Sequence, residues 1–500
     1  MVNLSTFIRW HAIRTPDRVA LTYEAERVTY SDLDERIRRM AAFLRARGVA
    51  DNDVVAVFMK NSPAFLEIAF AVSHVGGIFL PINFRLARDE AEYILGDSKA
   101  RLLFADEEFR GTVGGIAGIE TVFLDDAAQR DGRRVAGDSG PVPALSVKQP
   151  GDLFRLMYTS GTTDRPKGVM HSYENFYWKS MSHVLSVGLS AGDRLLVVGP
   201  LYHVGAFDLP GIAVLWVGGR MHIERNFDPA KVLGAIERER LTCAWMAPVM
   251  LGMILAFEGR HKFDVGSFKW SIGGGEKTPE IRIRSFSEFF TNGRYIDGYG
   301  LTESCSGDTL MEPGMEIPKI GSPGRAVPHV EVEIRDEAGK TLPAGTVGEI
   351  CLRGPKITKG YWNNPEKNAA SFFGDWFRTG DVGYLDEDGF LYLTDRKKDM
   401  IITGGENVAS SEVERVLYQL PEVAEACVIG LPDERWGETV VALVVPKEGQ
   451  SVDFALVDRH CRAHLAGFKV PRRLILREVL PRNPSGKILK RILREEYGEG

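Results

Sequence analysis

Apolar runs and amphipathic stretches alternate along this chain, and their spacing predicts its elements. Leu33, Ile37, Met40, Ala41 and Leu44 recur at helical spacing, with Ser31 and Asp34 in front as a capping box and Gly48 as the stop. Val54 to Met59 is continuously apolar, as expected of a strand buried on both faces. A helix over Pro63 to Val75 and a strand over Ile78 to Leu80 follow, then strands over Arg101 to Phe104 and Thr121 to Leu124. Such strand–helix–strand repetition predicts a mostly parallel sheet covered on both faces. Asp125 to Gly151 is polar, contains Pro and Gly, and reads as a surface connection.

A second alternating region runs from Arg194 to about Phe290, with apolar runs at Leu195 to Val198, Ile212 to Val217 and Ala244 to Ala247. After Gly321 the texture changes. Val330 to Ile334 and Val347 to Leu352 alternate as half-exposed strands with turns at Gly339 and Gly345, which fits a small antiparallel or barrel-like segment. The last stretch predicts a compact unit: helix Ser411 to Leu420, strands Ala426 to Ile429 and Val440 to Val445, helix Phe454 to Leu465. The charged run Asp395-Arg396-Lys397-Lys398-Asp399 separates it from the body, giving domains of 1–396 and 397–500.

Composition narrows the class. At 500 residues the chain holds two or more domains with sizeable cores. Its net charge of −6, without a long basic run, argues against nucleic acid or anionic membrane as the main partner. The five cysteines are scattered without CxxC spacing, which argues against a zinc site or disulfide framework and fits a reducing, cytoplasmic setting. No export signal is visible, and the greasiest stretch, Phe65 to Ile82, carries Glu67, His74, Gly76-Gly77 and Pro81, so it reads as helix then strand.

The candidate chemistry centres on Tyr158-Thr159-Ser160-Gly161-Thr162-Thr163-Asp164-Arg165-Pro166-Lys167-Gly168. Thr159 to Thr163 can turn backbone N–H groups and four hydroxyls onto anionic oxygens, and Lys167 adds a full charge. This is a polyphosphate cradle, although not the common P-loop, whose lysine follows glycine and precedes Ser or Thr. Gly273-Gly274-Gly275-Glu276-Lys277 can let the chain pass flat against a ring. In Asp297-Gly298-Tyr299-Gly300-Leu301-Thr302-Glu303, Tyr299 can stack on a purine, Thr302 can meet a phosphate or carboxyl oxygen, and Glu303 can hold Mg²⁺. Asp381 can accept both ribose hydroxyls, and Arg396 offers a second contact to ribose or phosphate. Near the C-terminus, Lys487 sits on a loop that carries Pro481, Pro484 and Gly486, the prolines fixing φ at their positions.

Together, in this order, these stretches resemble an AMP-forming acyl-CoA synthetase of the adenylate-forming superfamily over nearly the whole chain. The resemblance implies an α/β fold: a large N-terminal domain of two α/β subdomains plus a β-barrel, and a small mobile α+β C-terminal domain. It implies ATP-dependent activation of a fatty or aromatic carboxylic acid to an acyl adenylate, then transfer to coenzyme A, with ATP, Mg²⁺ and CoA as the small molecules. On the same basis Lys487 bridges carboxylate and α-phosphate, and Lys398 is a hinge that brings Gly404, Gly405 and Glu406 to the pantetheine channel. His203 then lies between that channel and an acyl pocket walled by Phe207, Met246, Ala247, Pro248 and Gly274. Amino-acid-activating relatives carry aspartate at that position, so His203 favours an uncharged acyl group. Asp164 stands where the family usually has glycine. Two other readings compete: transfer to a carrier protein, and nucleotide binding without catalysis. The sequence leaves the oligomeric state open, a homodimer included.

Overall fold

The computed structural model describes residues 2–137, 139–159, 166–275, 278–396, 399–404, 406–482 and 488–498, with backbone alone at 395, 396 and 407. The first sheet has six strands in the order Glu120–Leu124, Leu102–Asp106, Val54–Phe58, Ile78–Pro81, Leu153–Thr159, Lys167–Ser172. Every neighbouring pair is parallel except the last, an antiparallel hairpin. Val54–Phe58 is buried at every position, as its unbroken Val-Val-Ala-Val-Phe run requires. The helix Pro63–His74 after it is buried all round.

The second sheet has nine strands. Its parallel centre is Arg294–Tyr299, Trp270–Gly273, Cys243–Trp245, Arg194–Val197 and Arg220–Ile223. The N-terminal hairpin, Val19–Tyr23 and Glu26–Thr29, joins this sheet and not the nearer one, pairing Leu21 with Met221. Asn61 couples the two sheets. Its amide donates to the Gly199 carbonyl at 2.9 Å and its oxygen accepts from the Leu201 N–H at 2.8 Å. One hydrophobic core runs through both sheets and into a third, antiparallel sheet of Glu331–Arg335, Gly348–Arg353, Trp376–Leu385, Phe372–Phe373 and Leu391–Arg396.

Beyond residue 400 a small α+β unit closes around a ten-residue strand, Gly437–Pro446, paired with Val423–Asp433. Its two cores draw on no side chain before Ile401 among the described residues. Arg415 on its helix Ser410–Leu417 reaches Glu280 of the body at 3.9 Å. No helix among the described residues is long and apolar enough to cross a membrane.

Two local expectations are corrected. The cap of the first long helix, Tyr30–Ala46, is Thr29 with Asp32, not Ser31 with Asp34. Thr29 Oγ1 accepts from the Asp32 N–H at 3.1 Å, and Asp32 Oδ2 accepts from the Thr29 N–H at 3.0 Å. The buried Tyr30 sets this start, because its hydroxyl lies 2.7 Å from the Gly219 carbonyl and 3.1 Å from that of Leu215. The connection after Leu124 is also more than surface loop. It holds two short helices, Asp126–Arg130 and Arg133–Ala136, tied to the interior by the wholly buried Glu67. Glu67 accepts the Gly132 N–H at 2.8 Å and pairs with Arg36 at 3.2 Å. Burial pushes its carboxyl up to about 7 against the pull of Arg36.

Thr29→Ala should lower stability by about 1 kcal/mol, whereas Ser31→Ala should cost less than about 0.5 kcal/mol. Urea titrations of both variants check this; equal losses would contradict the observed cap.

Candidate functional site

The candidate residues lie where parallel strands end. Leu153–Thr159 delivers Thr159 at its last position, and the return strand starts at Lys167, which pairs with Thr159 across the hairpin. Ser160, Gly161, Thr162 and Thr163 lie outside the described residues. In the second sheet, Arg194–Val197 leads to His203, Cys243–Trp245 to Met246, and Trp270–Gly273 to Gly274 and Gly275. Arg294–Tyr299 carries Asp297 and Tyr299 and leads to Gly300, Thr302 and Glu303. Ligands of open α/β sheets bind in the crevice outside these carboxyl ends. Glu276 and Lys277 lie outside the described residues.

Gly300 is required by crowding, since a β-carbon there would lie 2.3 Å from the Gly307 nitrogen. Tyr299 and Asp381 meet: the Tyr299 hydroxyl donates to Asp381 Oδ2 at 2.8 Å, and both residues are buried. Arg396 lies directly across the third sheet from Asp381 in the register, so both ribose candidates share one rung. Glu303 accepts the Tyr361 hydroxyl at Oε1, 2.8 Å away, and its carbonyl accepts the Thr358 N–H at 2.7 Å. Burial and the charge of Lys367 lower the Lys167 pKa, while Glu303 opposes them. The return strand that starts at Lys167 meets the Thr302–Glu303 turn directly, with His171 Nε2 2.7 Å from the Thr302 carbonyl.

Among the described residues, no group of three or more His, Cys, Asp and Glu side chains could hold a metal. A single carboxylate suits Mg²⁺, which keeps most of its shell as water and phosphate oxygen and seldom takes an all-protein cage. The donor set at Glu303 therefore fits the expected ion.

His203 caps the turn Val204–Asp208 by accepting the Gly205 N–H at Nδ1, 3.1 Å away. Its ring stacks on Trp245 at 5.9 Å and 30°. The indole occupies a slot that only glycine leaves open: β-carbons at Gly199 and Gly205 would lie 2.5 Å and 2.3 Å from it. Two expected wall residues pack into the interior instead. Phe207 packs against Phe65 and Phe79, and Met246 sits in a separate core with Leu196 and Leu251. Of the C-terminal candidates, Gly404 turns at φ +61 with its N–H 2.7 Å from the Trp436 carbonyl. Glu406 is exposed on a short strand. Lys398, Gly405 and Lys487 lie outside the described residues.

Sequence reasoning missed the charged cluster behind Thr302. Arg155, Lys179, Asp208 and His171 are all wholly buried. Asp208 pairs with Arg155 at 2.7 Å and with Lys179 at 3.2 Å. Burial alone would raise its pKa, but Arg155 and Lys179 outweigh burial and hold the carboxyl below its usual range. Asp208 therefore adds no polarity to an open pocket. Beside this cluster, Lys356 pairs with Asp308 at 2.7 Å and donates to the carbonyls of Ser304, Ser306 and Gly307. The available signal was an arginine inside the apolar run Leu153 to Tyr158.

A family model described as "AMP-binding enzyme" matches residues 8–362, and one described as "AMP-binding enzyme C-terminal domain" matches 412–487. The chain is 37% identical over 485 residues to a feruloyl-CoA synthase of an Amycolatopsis species, covering 97% of each. It is 35% identical over 512 residues to the long-chain-fatty-acid–CoA ligase FadD13 of Mycobacterium tuberculosis, covering 99% of each. Its fold is similar to the crystal structure of ATP-bound MatB from Rhodopseudomonas palustris at TM-score 0.92 and 31% identity, covering 100% of this chain and 99% of that one.

Burial lowers the pKa values of His171 and His183 to about 3, so both rings are neutral in the folded protein. Unfolded, each would take up a proton near 6.5. Their contribution is full above about pH 6.5 and is lost as pH falls toward 3, at about 1.4 kcal/mol per pH unit for each ring. Urea titrations at about pH 7 and about pH 5 should show this slope, and His183→Gln should remove half of the histidine share.

Proposed function

The chain belongs to the AMP-binding enzyme family, and from that membership we propose how its residues divide the work. The protein is an AMP-forming acid–thiol ligase that activates a carboxylic acid with ATP and passes the acyl group to coenzyme A. The acid is fatty or aromatic, the two classes named for its relatives. The observation that carries the residue assignment is the joining of candidates from three sheets: the strand of Lys167 with the turn of Thr302 and Glu303, and Tyr299 with Asp381.

In the first half-reaction a carboxylate oxygen attacks the α-phosphorus. The new O–P bond forms as the bond to the bridging oxygen breaks, and pyrophosphate leaves with that electron pair. Two anions approach, so the barrier is chiefly electrostatic. Lys487 lies between carboxylate and α-phosphate and holds them in line. Thr159, Ser160, Gly161, Thr162, Thr163 and Lys167 bind the departing pyrophosphate, and Thr302 donates its hydroxyl to the acyl phosphate. Glu303 would hold Mg²⁺, which when bound neutralises phosphate charge. Tyr299 and Gly300 flank the adenine with Gly274 and Gly275, and Asp381 with Arg396 takes the ribose.

In the second half-reaction the CoA sulfur attacks the acyl carbon, its proton is lost, and AMP leaves with the C–O electron pair. The domain 397–500 turns at Lys398 to exchange Lys487 for Gly404, Gly405 and Glu406, which line the thiol route. His203 and Trp245 form the wall between that route and the acyl group. The buried, unpaired thiols of the chain support a reducing, cytoplasmic setting.

A pyrophosphate-release assay over a panel of fatty and aromatic acids tests the reading: acid-dependent release, followed by acyl-CoA when CoA is added, is expected. Lys487→Ala should slow acid-dependent release by about 100-fold or more while thioester formation from a synthesised acyl adenylate stays within about threefold. Equal losses in the two steps would remove Lys487 from the adenylation site.

A further inference from the structure

His171 lies on the return strand Lys167–Ser172, four residues beyond Lys167. Its Nδ1 accepts two N–H groups of Arg155, from Nε at 3.0 Å and from Nη2 at 2.9 Å. A nitrogen that accepts carries no hydrogen, so the proton of the neutral ring is on Nε2. That Nε2–H donates to the Thr302 carbonyl at 2.7 Å. Arg155 in turn is held by Asp208, and Asp208 by Lys179. Were the ring in its other tautomer, an Nε2 lone pair would face the Thr302 oxygen and the contact would turn repulsive. The guanidinium therefore sets the sign of the contact at Thr302.

A second tie runs alongside. The Thr358 hydroxyl donates to the Met170 carbonyl at 2.6 Å while its N–H donates to the Glu303 carbonyl. The strand that begins at Lys167 is thus joined to the Thr302–Glu303 turn at two successive residues, His171 and Met170.

We propose that His171 and Arg155 are positioning residues for acyl-adenylate formation. They fix the spacing between Lys167, on the pyrophosphate side, and Thr302, on the acyl-phosphate side. This rests on the ligase reading above. The spacing matters while pyrophosphate and acyl phosphate are held together, that is, in the first half-reaction. Once pyrophosphate has gone, only the Thr302 side is still occupied.

Acid-dependent ATP–pyrophosphate exchange and transfer from a synthesised acyl adenylate to CoA, measured on the full chain, separate the two steps. His171→Leu keeps the volume and loses all three hydrogen bonds. It should lower kcat for exchange by about 30-fold, with KM for ATP and the transfer rate within about threefold of the parent. Glutamine carries an acceptor and a donor on one side chain, so His171→Gln should recover about tenfold of that loss. In ¹⁵N spectra of the parent, His171 should show a bare Nδ1 and a protonated Nε2 across about pH 5 to 8, and Arg155→Met should abolish that pattern. Exchange within threefold of the parent in His171→Leu, equal loss in both steps without rescue by glutamine, or a protonated Nδ1 in the parent would each overturn the proposal. If His171→Leu does not fold, the glutamine variant and the ¹⁵N spectrum decide. Absence of exchange in the parent with every acid would strike the ligase reading and the positioning role that rests on it, while the tautomer would still report the relay itself.

Discussion

The ion pair between Arg155 and Asp208, 2.7 Å apart and wholly shut away from water, is the contact on which the site's geometry turns. Removing two charges from solvent costs several kcal/mol for each, and their attraction offsets that only where further partners satisfy them. Here those partners are Lys179 on the carboxylate and His171 on the guanidinium. The aromatic faces of Phe207, 5.2 Å from the guanidinium carbon, and Phe176, 4.1 Å from the Lys179 nitrogen, receive the remaining positive charge. An apolar cluster of the same volume would be as stable or more so. What the charged cluster adds is direction, since each hydrogen bond admits one orientation of the next residue.

That directionality complements the topology. Parallel strands can bring loops from distant parts of the chain to one edge, but they fix the loops only at their roots. The turn after Tyr299 is therefore held from behind as well. His171 grips Thr302, Thr358 grips Glu303, and Lys356 grips the carbonyls of Ser304, Ser306 and Gly307. Polar groups that a loop would normally show to water are here turned inward onto buried donors.

Much of the fold was legible because its elements have unambiguous periodicity. Val54–Phe58 and Pro63–His74 are continuous apolar runs of strand and helix length, and both are found within a residue or two of expectation. The family was legible because the motifs stand together and in order along nearly the whole chain, although a run such as Thr159 to Thr163 alone would pass for a surface turn. Long-range partnerships were not legible. Nothing in Val19–Tyr23 names Arg220–Ile223 as its neighbour, and nothing in Asp208 names Arg155. Ser31 with Asp34 had the pattern of a capping box, but the burial of Tyr30 puts the start of the helix, and so its cap, at Thr29. Periodicity reports which face is buried, not against what.

The N-terminal hairpin has a consequence for biosynthesis. Leu21 finds its partner in Met221, two hundred positions later. A ribosome adding about 5–20 residues per second would take on the order of 10–40 s to supply that partner. Throughout that interval the first sheet can assemble around Val54–Phe58, while the opening segment waits with an unpaired edge. Translation order and assembly order therefore differ in this protein, and the opening hairpin can be seated only after every strand of the first sheet has been made.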